Sequence, residues 1–201
     1  MKKNLLLIAI MLVSLTSYSQ ARFGIRGGIN FNDLTNLETK KTTDFYAGVF
    51  LAIKASEAYT FQPEVVYSAQ GATLDSDKVL RIENQDLKDV KLEFLSITFM
   101  NKLTTKNNIN FLIGPYLDIR ISDNVQNDGY FFEGLFPRLD AGLQVGLAYD
   151  INSALSIEAR FKQGFVDMLN ENDIYQDYYL DEANFNQVFQ IGIAYKFELK
   201  K

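Results

Sequence analysis

The stretch from Leu155 to Phe165 reads Leu-Ser-Ile-Glu-Ala-Arg-Phe-Lys-Gln-Gly-Phe. Its odd positions (Leu155, Ile157, Ala159, Phe161, Gln163, Phe165) are mostly apolar. Its even positions (Ser156, Glu158, Arg160, Lys162, Gly164) carry three charges and two small residues. A period of two sends successive side chains to opposite faces and marks a β-strand. What constrains the fold is that the pattern recurs. Strands are predicted at Arg22–Phe31, Asp44–Lys54, Tyr59–Gln70, Lys91–Leu103, Ile109–Arg120, Arg138–Asp150, Leu155–Phe165 and Gln187–Phe197. In nearly every one, Leu, Ile, Val and aromatics hold one face, and Gly, Ala, Ser, Gln and charges hold the other.

The connections supply a second signal. Asn32–Thr43, Gly71–Val90, Ile121–Pro137 and Val166–Asn186 are long and polar, whereas Ala55–Ala58, Thr104–Asn108 and Ile151–Ala154 are short. Strict alternation of long and short links is the habit of outer-membrane barrels, with short periplasmic turns and longer external loops. A soluble barrel of lipocalin type also has eight strands, but it keeps its apolar residues inside. Small and charged side chains cannot fill a dry apolar core. The bulky face is therefore expected to meet lipid, and the polar face to line a narrow lumen. The fold class expected is all-β: an eight-stranded antiparallel up-and-down transmembrane β-barrel. An even strand count puts both chain ends on the short-turn side, in the periplasm.

Three details resist the simple pattern. The alternation breaks near Leu95–Ser96, which reads as a β-bulge. Pro63 and Pro115 cannot donate to a ladder. Pro63 is expected near the periplasmic rim, and Pro115, in mid-strand, is expected to mark a bulge.

The first twenty residues read as a secretory signal. Lys2 and Lys3 form a basic start, Leu5 to Leu15 is an apolar run too short to span a bilayer as a helix, and Ser17 and Ser19 suit a cleavage site. Residues 1–20 are thus expected to be removed, leaving 21–201 as one barrel domain; cleavage after Ala21 is the alternative. Loss of the two lysines leaves 18 basic against 25 acidic residues. This acidic chain has no basic cluster, so nucleic-acid binding is not expected. With no His and no Cys, the chain lacks thiol nucleophiles, disulfides, histidine triads and the usual zinc ligands. No cofactor and no metal site are expected. Asn170-Glu-Asn-Asp173 lacks the spacing and glycine of an EF-hand. The run Gly24-Ile-Arg-Gly-Gly28 leads into no helix, so it is not a phosphate loop.

Four segments, in this order and spacing, resemble the PorT-like outer-membrane β-barrel proteins of Bacteroidetes. They are Phe23-Gly-Ile-Arg-Gly-Gly-Ile-Asn-Phe31, Phe61-Gln-Pro-Glu-Val-Val-Tyr-Ser68 running on to Gly71, Ser156-Ile-Glu-Ala-Arg-Phe161 with Gly164, and Phe189-Gln-Ile-Gly-Ile-Ala-Tyr-Lys-Phe197. Strand four departs, since Leu92-Glu93-Phe94-Leu95 lacks the proline common there in the family. The resemblance implies an outer-membrane barrel, in a family mostly without an assigned biochemical function. One branch of the family is tied to secretion and gliding.

Two groups of residues are candidates for function. The inward faces are expected to bring Arg26, Glu64, Glu93, Asp118, Arg120, Asp140, Glu158, Arg160 and Lys162 into the lumen. Buried charges must be paired, so the plain reading is an ion-pair network that plugs the barrel. The sharper alternative is a proton path or a carboxylate pair doing acid–base work. The last loop carries Asp173, Tyr175, Asp177, Tyr178, Tyr179 and Asp181 without Lys or Arg. The plain reading is a solvated, like-charged loop; the functional one is recognition, since interleaved aromatics supply contact area and acids select for cationic partners or a divalent metal. The function expected is non-enzymatic: a monomeric barrel in outer-membrane lipid, acting by surface-loop binding of protein or extracellular ligand, by adhesion, or as structural support. A component of a secretion or gliding complex, a membrane-embedded hydrolase and a narrow pore are the alternatives.

Overall fold

In the computed structural model, the described residues are 21–34, 39–40, 42–74, 81–82, 85–86, 89–123, 137–168 and 183–198. The expected signal segment and the recognition-loop residues Asp173, Tyr175, Asp177, Tyr178, Tyr179 and Asp181 lie outside them. Eight long strands form the wall: β1 (Ala21–Leu34), β2 (Thr42–Lys54), β3 (Tyr59–Leu74), β4 (Asp89–Thr104), β5 (Ile109–Asp123), β6 (Leu139–Asp150), β7 (Leu155–Asp167) and β8 (Phe185–Lys196). Each pairs antiparallel with its neighbours in sequence. The sheet closes where β1 meets β8, from Gly24↔Lys196 to Leu34↔Asn186. Closure removes every free edge, as a wall in lipid must, because hydrocarbon satisfies no backbone group.

Directly opposed residues share a face. Between these eight strands every paired sum is even, apart from Leu92↔Asp123 and Glu93↔Ser122 at one irregularity of β4 and β5, so one parity points inward all the way round. Odd-numbered Phe23, Ile25, Ile29, Phe111, Ile113, Leu147, Ile157, Ile191 and Ile193 are exposed on the outside. Even-numbered Arg26, Glu64, Asp118, Arg160 and Lys162 are buried inside. This is an inside-out protein whose large apolar surface requires lipid.

Three tight turns close one end. At residues 105–108 the turn ends on Asn108, with φ 61°, a conformation that Asn tolerates better than most residues. At 151–154 the Asn152 side-chain oxygen accepts from the Ala154 and Leu155 amides, both at 2.8 Å, a turn device suited to Asn. The chain ends join this end too, since the Phe197 amide donates to Phe23 O at 2.8 Å.

Two expectations about the wall need correction. The alternation along β4 does not break: Leu92, Phe94, Ser96, Thr98, Met100 and Lys102 are all buried. Leu92 and Phe94 fill the lumen while Leu95 faces out, so both faces are locally apolar and the period is masked. The irregularity lies across the ladder, where Glu93 pairs with Ser122 and Phe94 with Arg120, leaving Ile121 of β5 as the extra residue. Pro115 marks no bulge either. The pairs Thr98↔Tyr116 and Asn101↔Ile113 flank it in one unbroken register. Pro63 behaves alike, between Phe50↔Glu64 and Ile53↔Phe61. Each proline removes a rung without shifting the strand.

At Pro115 the missing rung is filled. The carbonyl of Phe99 lies beside the Gly114 α-carbon, facing β5. The Asn101 side-chain amide donates to Phe99 O at 3.3 Å and to Ile113 O at 3.2 Å, while its oxygen accepts from the Tyr59 hydroxyl at 2.7 Å. This accounts for an amide beside Phe99 and Leu103 on the outer face.

Candidate functional site

The lumen is built in layers. In its middle, β1 contributes Arg26, β3 Glu64, and β7 both Glu158 and Arg160. Arg160 binds Glu64 through both nitrogens, at 2.9 and 3.0 Å, and reaches Glu158 at 2.8 Å. Arg26 is paired with Glu64 and, at 2.8 Å, with Glu158. Two cations and two anions thus form a closed, neutral square. Its side chains are at most 3 % exposed. Gln62 donates to the remaining side of Glu64 at 2.8 Å, and Arg26 lies over the Tyr46 ring, 4.8 Å from its centre. Tyr46 fits because inward Gly192 leaves space for its hydroxyl, as Gly24 does for the Phe50 ring.

Towards the long-loop end lies a second charged layer. The Lys162 ammonium donates to Asp118 at 2.7 and 3.0 Å and to the Ser96 hydroxyl at 3.3 Å, and stands 4.1 Å above the Tyr116 ring. The Tyr116 hydroxyl donates to Asp140 at 3.0 Å. Asp118 and Asp140 are direct cross-strand partners.

Amides that the sequence reading passed over join the two layers. Arg160 donates to Gln144 at 3.4 Å, Gln144 to Gln190 at 2.8 Å, Gln190 to Asn30 at 2.8 Å, and Asn30 to Ser68 at 2.9 Å. Gln70 then bridges Ser68 at 3.1 Å and Asp118 at 3.2 Å. The chain of bonds returns to β7 at Lys162. Their signal was present, since Asn30, Gln70, Gln144 and Gln190 all occupy inward positions of amphipathic strands. A buried amide needs partners as a buried charge does.

Of the nine expected lumen charges, seven lie in these layers: Arg26, Glu64, Asp118, Asp140, Glu158, Arg160 and Lys162. Arg120 is on the inner face at the loop end, apart from them, 3.4 Å from Asp123. Glu93 is the correction. It carries an odd number, lies on the outer face opposite Ala69, and takes a hydrogen bond from the Tyr67 hydroxyl. Its position near the loop-end rim, where the wall leaves the hydrocarbon, lets a carboxylate face outward.

Below the square the lumen turns apolar. Phe50, Ala52 and Ala194 pack on one side, and Met100, Leu112 and Ala148 on the other. A void of about 10 Å³ lies at this level, barely one water molecule. Beneath it, Lys102 grips Asp150 at 2.9 and 3.2 Å. No group of three or more carboxylates able to hold a metal occurs among the described residues.

A closed eight-stranded barrel, apolar without and charged within, is the architecture of an outer-membrane β-barrel protein. The sequence agrees: residues 15–170 match the outer membrane protein beta-barrel domain, and the chain belongs to that family. Its place is the outer membrane, embedded in lipid. No curated protein matches the sequence significantly. Among solved structures, Neisserial surface protein A is similar over 89 % of this chain and 100 % of its own, at 12 % identity and a TM-score of 0.57. Ail, the attachment invasion locus protein of Yersinia pestis, solved with the heparin analogue sucrose octasulfate, is similar over 89 % of this chain and 99 % of its own, at 10 % identity and a TM-score of 0.50. At such identities the likeness concerns the fold.

Proposed function

We propose that the protein is a non-enzymatic, monomeric outer-membrane barrel whose lumen is plugged by its own side chains, and whose biological contacts are made by the long loops. The observation that carries this reading is the neutral square of Arg26, Glu64, Glu158 and Arg160 across the middle of the barrel, backed by the apolar collar beneath it. Its carboxylates are spent on guanidinium partners, which leaves no free acid at that level for proton transfer. In this reading the signal segment 1–20 is cleaved and both ends of the mature chain face the periplasm. The position of Phe23 and Phe197 beside the tight turns supports that orientation. The PorT-like character of the four resembling segments is part of the same proposal.

The acidic aromatic loop that holds Asp173, Tyr175, Asp177, Tyr178, Tyr179 and Asp181 is then the recognition surface, suited to basic partners. Proteoliposomes carrying the barrel are expected to adhere to immobilised basic proteins, and to stop when residues 169–182 are replaced by a Gly-Ser linker. Equal adhesion with the linker would remove the loop from the proposal. In planar bilayers the wild-type barrel is expected to show no steady conductance. A stable ion current would put the pore reading in its place.

A further inference from the structure

The mouth at the tight turns is unlike the rest of the lumen. It opens into a cavity of about 650 Å³, within the range of small-ligand sites, and the apolar collar makes it blind. Arg22, Lys54, Lys102 and Lys196 line it, against Glu57 and Asp150. Asp150 is already engaged, taking both bonds from Lys102 and a further one from the Ser156 hydroxyl. Lys196 stands 4.0 Å from it, too far for a good hydrogen bond. Among the described residues, the hydrogen bond of Arg22 goes to the Ser153 carbonyl, at 3.4 Å. Neither Arg22 nor Lys54 has a carboxylate partner among the described residues, and the charges of Lys102, Arg22 and Lys54 all repel that of Lys196. The remaining acids sit on the lip. Glu57 is exposed on its turn, and Glu198 takes the Ser153 hydroxyl at 3.1 Å.

Mutually repelling cations around a concave site with too few anions form a receptor for a small anion. We propose that this vestibule binds a phosphate group, with Arg22 supplying the planar fork, and Lys54 and Lys196 the point charges. The phosphate is either free in solution or carried on a lipid headgroup at the membrane rim. The site lies at the end of the barrel opposite the long loops, and it does not depend on what those loops bind.

The test uses the full barrel refolded in neutral detergent at low salt, titrated by calorimetry with inorganic phosphate and, separately, with short-chain phosphatidylglycerol. Saturable binding of either is expected. The Arg22→Gln/Lys54→Gln variant should bind about tenfold more weakly, having lost two of the four cations of a charge-assisted site. Lys106→Gln, in a neighbouring turn outside the cavity, should bind as the wild type does. Binding of phosphate alone assigns the site to a soluble anion, and binding of the lipid alone assigns it to a headgroup. Heat-modifiable gel migration checks that each variant is folded; both substituted side chains are exposed, and neither has an ion pair among the described residues. No saturable heat with either probe, or equal affinity in the double variant, would overturn the proposal.

Discussion

Arg160 and Lys196 occupy inward positions on adjacent strands, β7 and β8, yet their surroundings differ sharply. Arg160 has carboxylate oxygens at 2.8, 2.9 and 3.0 Å and a fully buried side chain. Lys196 has its paired carboxylate at 4.0 Å and keeps 16 % of its side chain exposed. The difference follows from access to water. Where the collar and the square exclude solvent, an unmatched charge would cost several kcal/mol, so the two cations of the square meet two anions. At the mouth, water screens the excess, and spare cations are tolerated without a partner. The same side-chain chemistry therefore serves structure in one place and is left free for a ligand in the other.

Two substitutions press hardest on this comparison. Arg160→Ala should be the most damaging, because it strands Glu64 and Glu158 in a dry lumen; breaking such a pair costs about 3–5 kcal/mol. Urea unfolding in lipid vesicles measures it, and the matching Lys196→Ala should shift the midpoint far less. Equal losses at the two sites would dissolve the distinction between middle and mouth. Lys162→Met should come next, at about 3 kcal/mol, the lower end of the range for a broken buried pair. Gln70 would still donate to Asp118, and Tyr116 to Asp140. A loss as large as that at Arg160 would mean that the second charged layer, and not the square, governs stability.

Much of the architecture was legible because the bilayer writes a simple rule into the strands: apolar outside, polar inside. The rule fades where the environment no longer imposes it. Residues 32–34, 71–74, 89–90, 121–123 and 166–167 continue the strands, although they read as loop, since beyond the hydrocarbon the bilayer no longer imposes the alternation. The rule is also obscured at Leu92 and Phe94, where apolar side chains fill the lumen and hide the phase of β4, which is why Glu93 was expected inside. Arg26, Glu64, Glu158 and Arg160 could be assigned to one face from the sequence. Their arrangement as a square could not, because that depends on how three strands, with residues up to 134 positions apart, are staggered around the barrel. The vestibule was invisible for the same reason: Arg22, Lys54, Lys102 and Lys196 stand at four different strand ends, and only closure gathers them.

Asn101 tests a smaller effect, on the outer wall. Asn101→Leu would improve contact with lipid but leave the Phe99 carbonyl facing β5 with no donor, since Pro115 has none. A net loss of about 1 kcal/mol is expected, the usual worth of one hydrogen bond, and Pro115→Ala in the same background should restore it by supplying the missing N–H. A more stable Asn101→Leu barrel would show that lipid contact outweighs the rung. The smallest effect belongs to the mouth. Arg22→Gln/Lys54→Gln removes two cations that hold no carboxylate among the described residues, so the unfolding midpoint should not move when the vestibule is empty. Arg26→Gln, only four residues along the same strand from Arg22, removes one cation and should lower it clearly, because Glu64 and Glu158 each lose a partner in the dry middle. If the double substitution at the mouth destabilised the barrel as much as the single one in the square, the cations of the mouth would be structural, and the vestibule would have no charge to spare for a ligand.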